Sequence, residues 1–223
     1  GNGVFATKRL SDEAMSRALD VLKTLVTLAR NKGFDRIVAV ATSAVREAQN
    51  GGDFVSLIME QTGLRVKVIS GTEEARLIFL GVKHSIALPD GPTLVVDIGG
   101  GSVELVVGNR EGLIHGKSLK LGAIRLAEQC LPKTPPSESM MRALEHVVLT
   151  DLRDALGFFK MKKFHSLVAT SGMAGNVGEI VHLRQTGRPL PQLNLATVSF
   201  KDIRSLEAEL ARSSVKARLA IPG

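Results

Sequence analysis

The segment from Asp97 to Gly108, Asp-Ile-Gly-Gly-Gly-Ser-Val-Glu-Leu-Val-Val-Gly, constrains the fold of this chain more than any other. Two segments rich in valine and leucine, at 93–97 and 103–107, flank three consecutive glycines. This pattern predicts two strands joined by a glycine turn, because glycine reaches positive φ at little cost and valine favours strands. The glycines also leave room for an anion, so that successive backbone N–H groups can converge on a phosphate oxygen.

The residues after the glycines exclude two common phosphate-binding loops. A Walker loop needs Gly-Lys-Ser/Thr ahead of a helix, and neither follows here. A dinucleotide-binding fingerprint also opens a helix, and Glu104 stands where its last glycine would be. We therefore expect a phosphate-binding hairpin, in which Gly99, Gly100, Gly101 and Ser102 contact the ligand.

Two acidic residues border this turn, Asp97 on the incoming strand and Glu104 on the outgoing one. Two carboxylates beside a phosphate repel it unless a cation lies between them. The pattern therefore predicts Mg²⁺ or another divalent cation, held by Asp97 and Glu104 directly or through water. The alternative is a glycine-rich hairpin with exposed acids and no ligand.

Two predicted strand–helix junctions carry hydroxyl groups. Thr42 and Ser43 follow a predicted buried strand at 36–40, with Arg46 one helical turn further on. Free N–H groups at a helix start bind anions, and arginine adds a bidentate contact. Thr170, Ser171 and Gly172 follow a predicted strand at 164–169 in the same way, and Val-Ala-Thr-Ser occurs at both 40–43 and 168–171. Ordinary helix caps are the alternative at both junctions, and four matching residues are weak evidence of duplication.

Adjacent glutamates, Glu73 and Glu74, lie in the first turn of a helix predicted to be capped by Thr72 and to run to His84. Acidic residues at this position stabilise a helix through its dipole, so spacing alone favours a structural role over a catalytic one.

Strands alternate with helices on both sides of a Pro- and Gly-containing break at 85–92, which predicts an α/β protein with domains at 1–91 and 92–223. A helix is predicted at 12–32, capped by Ser11. The net charge of +7 suits a polyanionic phosphate partner. The absence of Trp and Tyr makes a nucleic-acid partner unlikely. A single cysteine and the lack of a signal peptide or a long apolar run predict a cytoplasmic protein that does not enter a membrane.

Five segments together resemble the exopolyphosphatase/guanosine pentaphosphate phosphohydrolase (Ppx/GppA) family: residues 38–48, 68–82, 95–108, 119–126 and 168–172. The glycine hairpin alone specifies only the larger superfamily of actin, sugar kinases and chaperone ATPases. The Glu-Glu-Ala-Arg helix ahead of it singles out this family. The resemblance implies a two-lobed actin-like, ribonuclease H-like architecture, with mixed sheets flanked by helices.

The resemblance also implies a reaction, the release of the terminal phosphate from polyphosphate or guanosine pentaphosphate, the latter a nucleotide of the stringent response. Glu74 is then the general base that deprotonates the attacking water, and Mg²⁺ near Asp97 and Glu104 neutralises the phosphoryl oxygens. The glycine turn, Arg46 and residues 170–172 would hold the phosphates across a cleft between the lobes. Family members often dimerise, so a homodimer is a further expectation.

Family members begin with a strand and an Asp-x-Gly-Ser-Asn-Ser-like phosphate loop that nothing here matches. We expect Gly1 to start after that loop and the carboxyl end to stop before the family's final helices. Two alternatives stay open: a sugar-kinase or ATPase-type phosphotransferase of the same superfamily, and a non-catalytic module that binds guanosine polyphosphates.

Overall fold

The computed structural model describes residues 3–159, 164–192 and 196–222. The chain forms two compact units, unit 1 at residues 1–74 and unit 2 at residues 75–223. The sequence break at 85–92 predicted a division at residue 91 instead. The units divide earlier because the helix at 71–85 packs its later apolar side chains, Ala75, Phe79 and Val82, into a core with Val95 and Val106 of unit 2.

Unit 1 packs helices around a short parallel pair of strands. Its elements are α1 (Val4–Thr7), α2 (Asp12–Asn31), β1 (Ala39–Ala41), α3 (Ser43–Glu47), α4 (Gly51–Thr62), β2 (Val66–Val68) and the first turn of α5 (Gly71–Ser85). Ser11 caps α2 as predicted, since its side chain accepts the N–H of Ala14. Helices α2 and α4 share a core that includes Leu19, Val26, Phe54 and Ile58.

The first strand differs from the prediction of a buried strand at 36–40. Strand β1 covers only Ala39–Ala41, and Val38 and Val40 are 72% and 49% exposed. The prediction of burial was wrong because β1 pairs with β2 alone among the described strands. A run of valines indicates strand preference and says nothing about whether a second layer covers it.

Unit 2 is built on a four-stranded mixed sheet. Its strands are β3 (Thr93–Ile98), β4 (Val103–Gly108), β5 (Leu113–Leu119) and β6 (Ser166–Thr170), in the order β5-β4-β3-β6. The pairs β3–β4 and β4–β5 are antiparallel, and β3–β6 is parallel. The α/β class with mixed sheets is therefore confirmed, as are the two strands on either side of the glycine turn.

Helices cover both faces of this sheet, and every residue of β4 is buried. On one face, Leu105 and Val107 pack with residues of α6 (Ala123–Cys130) and α7 (Glu138–Phe159). On the other face, Val106 packs with α5. Gly108 makes the approach of α5 possible, because a Cβ there would stand 2.2 Å from the ring of Phe79.

The described part of unit 2 contains three further helices: α8 (Ser171–Thr186), α9 (Phe200–Arg212) and α10 (Val215–Leu219). Arg184 joins α8 to α9 through two hydrogen bonds to the Glu209 carboxylate, 2.7 and 2.8 Å long. Within the described ranges, no helix combines the length and the apolar character needed to cross a membrane.

Candidate active site

The parallel pairing in unit 1 determines where its candidate residues lie. Ala39 pairs with Val66 and Ala41 with Val68, and the N–H of Ile69 extends the ladder by donating to Ala41 O at 3.0 Å. The carboxyl ends of parallel strands lie at the same edge of a sheet, which is where α/β proteins place their ligand sites. Helices α3 and α5, which follow β1 and β2, therefore begin at one edge.

Arg46 of α3 and Glu74 of α5 meet at this edge. Nη1 of Arg46 lies 3.1 Å from Oε2 of Glu74 and also donates to Ile69 O at 2.8 Å. The two side chains are only 24% and 15% exposed. The strand–helix junction predicted Arg46 as a phosphate ligand, and the family resemblance implied Glu74 as a general base. The structure places the guanidinium on the carboxylate, so that Arg46 fixes the orientation of Glu74.

The helix start distinguishes Glu73 from Glu74. The N–H of Glu73 donates to Oγ of Ser70 at 3.1 Å, so Ser70 caps α5 and the predicted cap, Thr72, lies inside the first turn. Ser70 and Glu73 have the spacing of a capping box, which gives Glu73 a structural reason to be acidic. Glu74 is not part of this capping box, and its carboxylate is bound to Arg46 instead.

The hydroxyl residues of the α3 junction have local partners. Ser43 is 4% exposed, and its Oγ donates to Oε1 of Glu47 at 3.0 Å. Thr42, the N-cap residue, makes no side-chain capping bond. The contact with Glu47 gives Ser43 a structural role, and the predicted phosphate contacts of Thr42 and Ser43 stay predictions.

Unit 2 contains a row of four polar side chains across its sheet. Asp97 of β3 is in register with Glu104 of β4 and with Thr170 of β6, and Glu104 is in register with Ser118 of β5. The Thr170 hydroxyl donates to Asp97 Oδ2, and the Ser118 hydroxyl donates to Glu104 Oε1 at 2.7 Å. The two acids thus stand side by side, each with a hydroxyl donor on its outer flank.

The paired carboxylates of this row favour a magnesium ion, but only one of them is accessible to it. Carboxylates directly opposite each other on a sheet repel, and a hard cation relieves that repulsion. Asp97 is half-buried and accessible, whereas Glu104, beside it on the next strand, is 1% exposed. In the described part of the chain, no group of three or more His, Cys, Asp or Glu forms a complete metal cage. Mg²⁺ does not require one, because it binds through one or two carboxylates together with water and substrate phosphates.

The glycine turn begins one residue after Ile98 and is closed by a hydrogen bond from Gly99 N–H to Ser102 O at 3.0 Å. The next junction, at the start of α8, is tied to the same strand end, because Oγ of Ser171 donates to Ile98 O at 2.9 Å. Ser171 has φ of 88°, which only glycine adopts freely. Residues 170–171 and the turn therefore lie at one end of the sheet. Gly172, the second residue of α8, has open space at its Cα.

The family sequence model for the Ppx/GppA phosphatase family matches residues 1–223. This chain belongs to the Ppx/GppA phosphatase family. It is 30% identical over 228 residues to exopolyphosphatase 2 of Mycobacterium tuberculosis, covering 99% of this chain and 70% of that protein. It is 36% identical over 179 residues to exopolyphosphatase 1 of Mycobacterium leprae, covering 75% of this chain and 52% of that protein. The chain thus spans between about half and seven tenths of the length of these relatives.

Solved structures of Ppx/GppA proteins share the fold. An exopolyphosphatase from Cytophaga hutchinsonii superposes with a TM-score of 0.86 at 30% identity, over 99% of this chain and 71% of that one. A family member from Aquifex aeolicus gives a TM-score of 0.74 at 27% identity, over 96% of this chain and 68% of that one. The resemblance inferred from the five sequence segments is confirmed.

Three residues of the candidate site have no role in the predictions from sequence. Ser118 holds Glu104, but its position depends on the β4–β5 register, which sequence does not reveal. Gly122 and Arg125 contact the back of the glycine turn. The sequence does contain a signal for Gly122 and Arg125. They belong to the segment Leu-Gly-Ala-Ile-Arg-Leu at 121–126, which is part of the family resemblance and places an arginine beside buried leucines.

Proposed function

We propose that this Ppx/GppA protein is a phosphohydrolase that releases the terminal phosphate of inorganic polyphosphate, with guanosine pentaphosphate as a second substrate. The observation that carries the proposal is the pair Asp97 and Glu104 beside a bare glycine turn at one end of the sheet. A binding site for a phosphate chain needs backbone donors for the oxygens and a way to hold a divalent cation, and this end of unit 2 offers both.

Asp97 would hold a magnesium ion with its accessible carboxylate, and Glu104 would support it from the buried side of the row. A bound magnesium ion supplies neutralisation of the charge on phosphoryl oxygens. The hydroxyls of Thr170 and Ser118 fix the two carboxylates through the hydrogen bonds described above. The glycine turn contributes N–H groups, and Ser102 and residues 170–172 line the same sheet end. The phosphate chain would bind there with its oxygens toward the backbone.

Glu74 would act as the general base, by taking a proton from the water that attacks the terminal phosphorus in line. Support comes from its place in the family's Glu-Glu-Ala-Arg helix and from its contact with Arg46, which orients the carboxylate. Proton transfer by a positioned base contributes about 10²–10⁴-fold to a rate. Positioning and electrostatic stabilisation of the phosphoryl group supply most of the remainder.

The proposal is tested by phosphate release from polyphosphate and from guanosine pentaphosphate, with Mg²⁺ and again with EDTA. Glu74→Gln should lower the rate by at least about a hundredfold, the lower limit for a lost general base. Glu73→Gln is the matched control, because glutamine is equally suited to the third helix position of a capping box and should leave the rate near normal.

Three results would contradict the proposal. A near-normal rate for Glu74→Gln would remove Glu74 from the reaction. Phosphate release that requires an acceptor molecule would favour a phosphotransferase. Tight binding of guanosine polyphosphates with no turnover of either substrate would favour a binding module.

A further inference from the structure

We propose that Arg125 is a positioning residue, which acts together with the first turn of α6 to aim the N–H groups of Gly100, Gly101 and Ser102 at a bound phosphate chain. The proposal rests on the proposed function, since it concerns how the glycine turn is prepared to bind polyphosphate. It adds residues on the reverse side of the turn, which touch no substrate.

The three carbonyl groups of the turn all accept hydrogen bonds from donors on α6. The N–H of Ala123 donates to Gly99 O at 2.9 Å, and the N–H groups of Ile124 and Arg125 donate to Gly100 O at 2.9 and 3.1 Å. Nε of Arg125 donates to Gly101 O at 2.7 Å. The first N–H groups of a helix are the ones without intrahelical partners, and α6 uses them on the turn.

Peptide geometry then determines the direction of the N–H groups. In a trans peptide, the C=O of one residue and the N–H of the next point in opposite directions. Because the carbonyls of Gly99, Gly100 and Gly101 point toward α6, the N–H groups of Gly100, Gly101 and Ser102 point away from it. None of these three N–H groups donates to another group within the described residues. Three consecutive free donors facing one side form an anion-binding cradle.

Gly122 and Arg125 contact the side of the glycine turn that faces α6. A Cβ at Gly122 would stand 2.3–2.4 Å from backbone atoms of Gly101 and Ser102, so only glycine allows α6 to approach this closely. The Arg125 side chain is buried, at 3% exposure. The positive end of the α6 dipole also lies behind the turn, where it favours an anion on the front.

The test measures binding of sodium tripolyphosphate to the full chain, by calorimetry and by the two-dimensional amide NMR spectrum. In the wild type, the amide signals of Gly100, Gly101 and Ser102 should move on titration. Arg125→Met keeps the length of the side chain and removes its donors, and should raise the Kd by at least about tenfold, with displaced turn amides even before ligand is added. Arg125→Lys should weaken binding less and replaces the methionine variant if that variant does not fold.

The matched control is Leu126→Ala, which removes a buried side chain from the same helix without touching the turn. It should lower stability but change the Kd by less than about threefold, whereas a merely structural role for Arg125 predicts that both variants behave alike. Wild-type affinity and unchanged turn amides in Arg125→Met and Arg125→Lys would overturn the role of Arg125. Lack of tripolyphosphate binding by the wild type would instead contradict the proposed function, and the cradle with it.

Discussion

Replacing Arg46 by methionine tests whether this arginine holds the Glu74 carboxylate in place. The pair is 24% and 15% exposed, which puts it between a surface ion pair, worth about 0–1 kcal/mol, and a buried one, whose disruption costs about 3–5 kcal/mol. A hydrogen bond to a charged group, at about 1.5–3 kcal/mol, is the appropriate scale. Loss of the second contact, to Ile69 O, adds about 1 kcal/mol. We expect Arg46→Met to lower the free energy of unfolding of unit 1 by about 3 kcal/mol.

A double-mutant cycle separates the ion pair from the rest of this loss. Glu74→Gln keeps the shape of the side chain and removes its charge, so the coupling between the two substitutions reports the charge–charge part. We expect a coupling of about 1–1.5 kcal/mol, within the range measured for residues in direct contact. We also expect Arg46→Met to slow phosphate release. Adding it to Glu74→Gln should lower the rate little further, because the carboxylate that Arg46 orients has already been removed.

Urea unfolding is followed through amide NMR signals of unit 1, since the chain contains no Trp and consists of two compact units. If the free energy of unfolding falls by about 2 kcal/mol per M of urea, a loss of about 3 kcal/mol lowers the urea midpoint of unit 1 by about 1.5 M. A coupling free energy below about 0.3 kcal/mol in the double-mutant cycle is no larger than the deviation from additivity seen for independent sites. That result would show that the contact between Arg46 and Glu74 does not hold the carboxylate, and would refute the argument.

Two further predictions concern the stability of unit 2. Gly108→Ala places a Cβ 2.2 Å from the ring of Phe79 and should lower the free energy of unfolding by more than about 2 kcal/mol in a thermal unfolding assay. Gly112→Ala is the control, since a Cβ there meets open space, and should lower it by less than about 1 kcal/mol. Equal losses would contradict the packing of α5 on the sheet. Ser171→Gly and Ser171→Ala both remove the hydrogen bond to Ile98 O, but only the glycine variant relieves the strain of the positive φ. The glycine variant should therefore be more stable than the alanine variant by about 1 kcal/mol. The reverse order would contradict the strained backbone at this junction.

The parts of the fold that sequence predicted are those with local signals. Helix α2 was predicted within one residue because Ser11 caps it and its apolar residues recur at helical spacing. The strands beside the glycine turn were predicted because valine runs on both sides of three glycines allow little else. Helix α9 likewise begins at a local signal, because the Asp202 N–H donates to Oγ of Ser199 at 3.1 Å.

The parts that sequence missed depend on pairings across the chain. Nothing in Val38 and Val40 shows that β1 pairs with β2 alone among the described strands, so the burial of these two residues was predicted wrongly. The contact of Arg46 with Glu74 depends on the parallel register of β1 and β2, which joins residues 28 positions apart. Motif residues that contact ligands can be recognised by their type, whereas residues that hold them, such as Ser118 and Arg125, are recognised only once the register is known.

The repeated Val-Ala-Thr-Ser at 40–43 and 168–171 has a common structural cause in the two units. Both copies end a strand that pairs in parallel, β1 with β2 and β6 with β3, and both lead directly into a helix, α3 and α8. Each junction then meets an acidic residue that belongs to the partner strand or follows it: Arg46, just after the first copy, binds Glu74, and Thr170 of the second copy binds Asp97. A small strand residue and a threonine that keeps the extended backbone suit such a junction. The serine hydroxyl finds a partner at both junctions, Glu47 for Ser43 and Ile98 O for Ser171. The same local requirement therefore explains the repeat without common descent, and it explains why both candidate acids lie at the carboxyl ends of parallel strands.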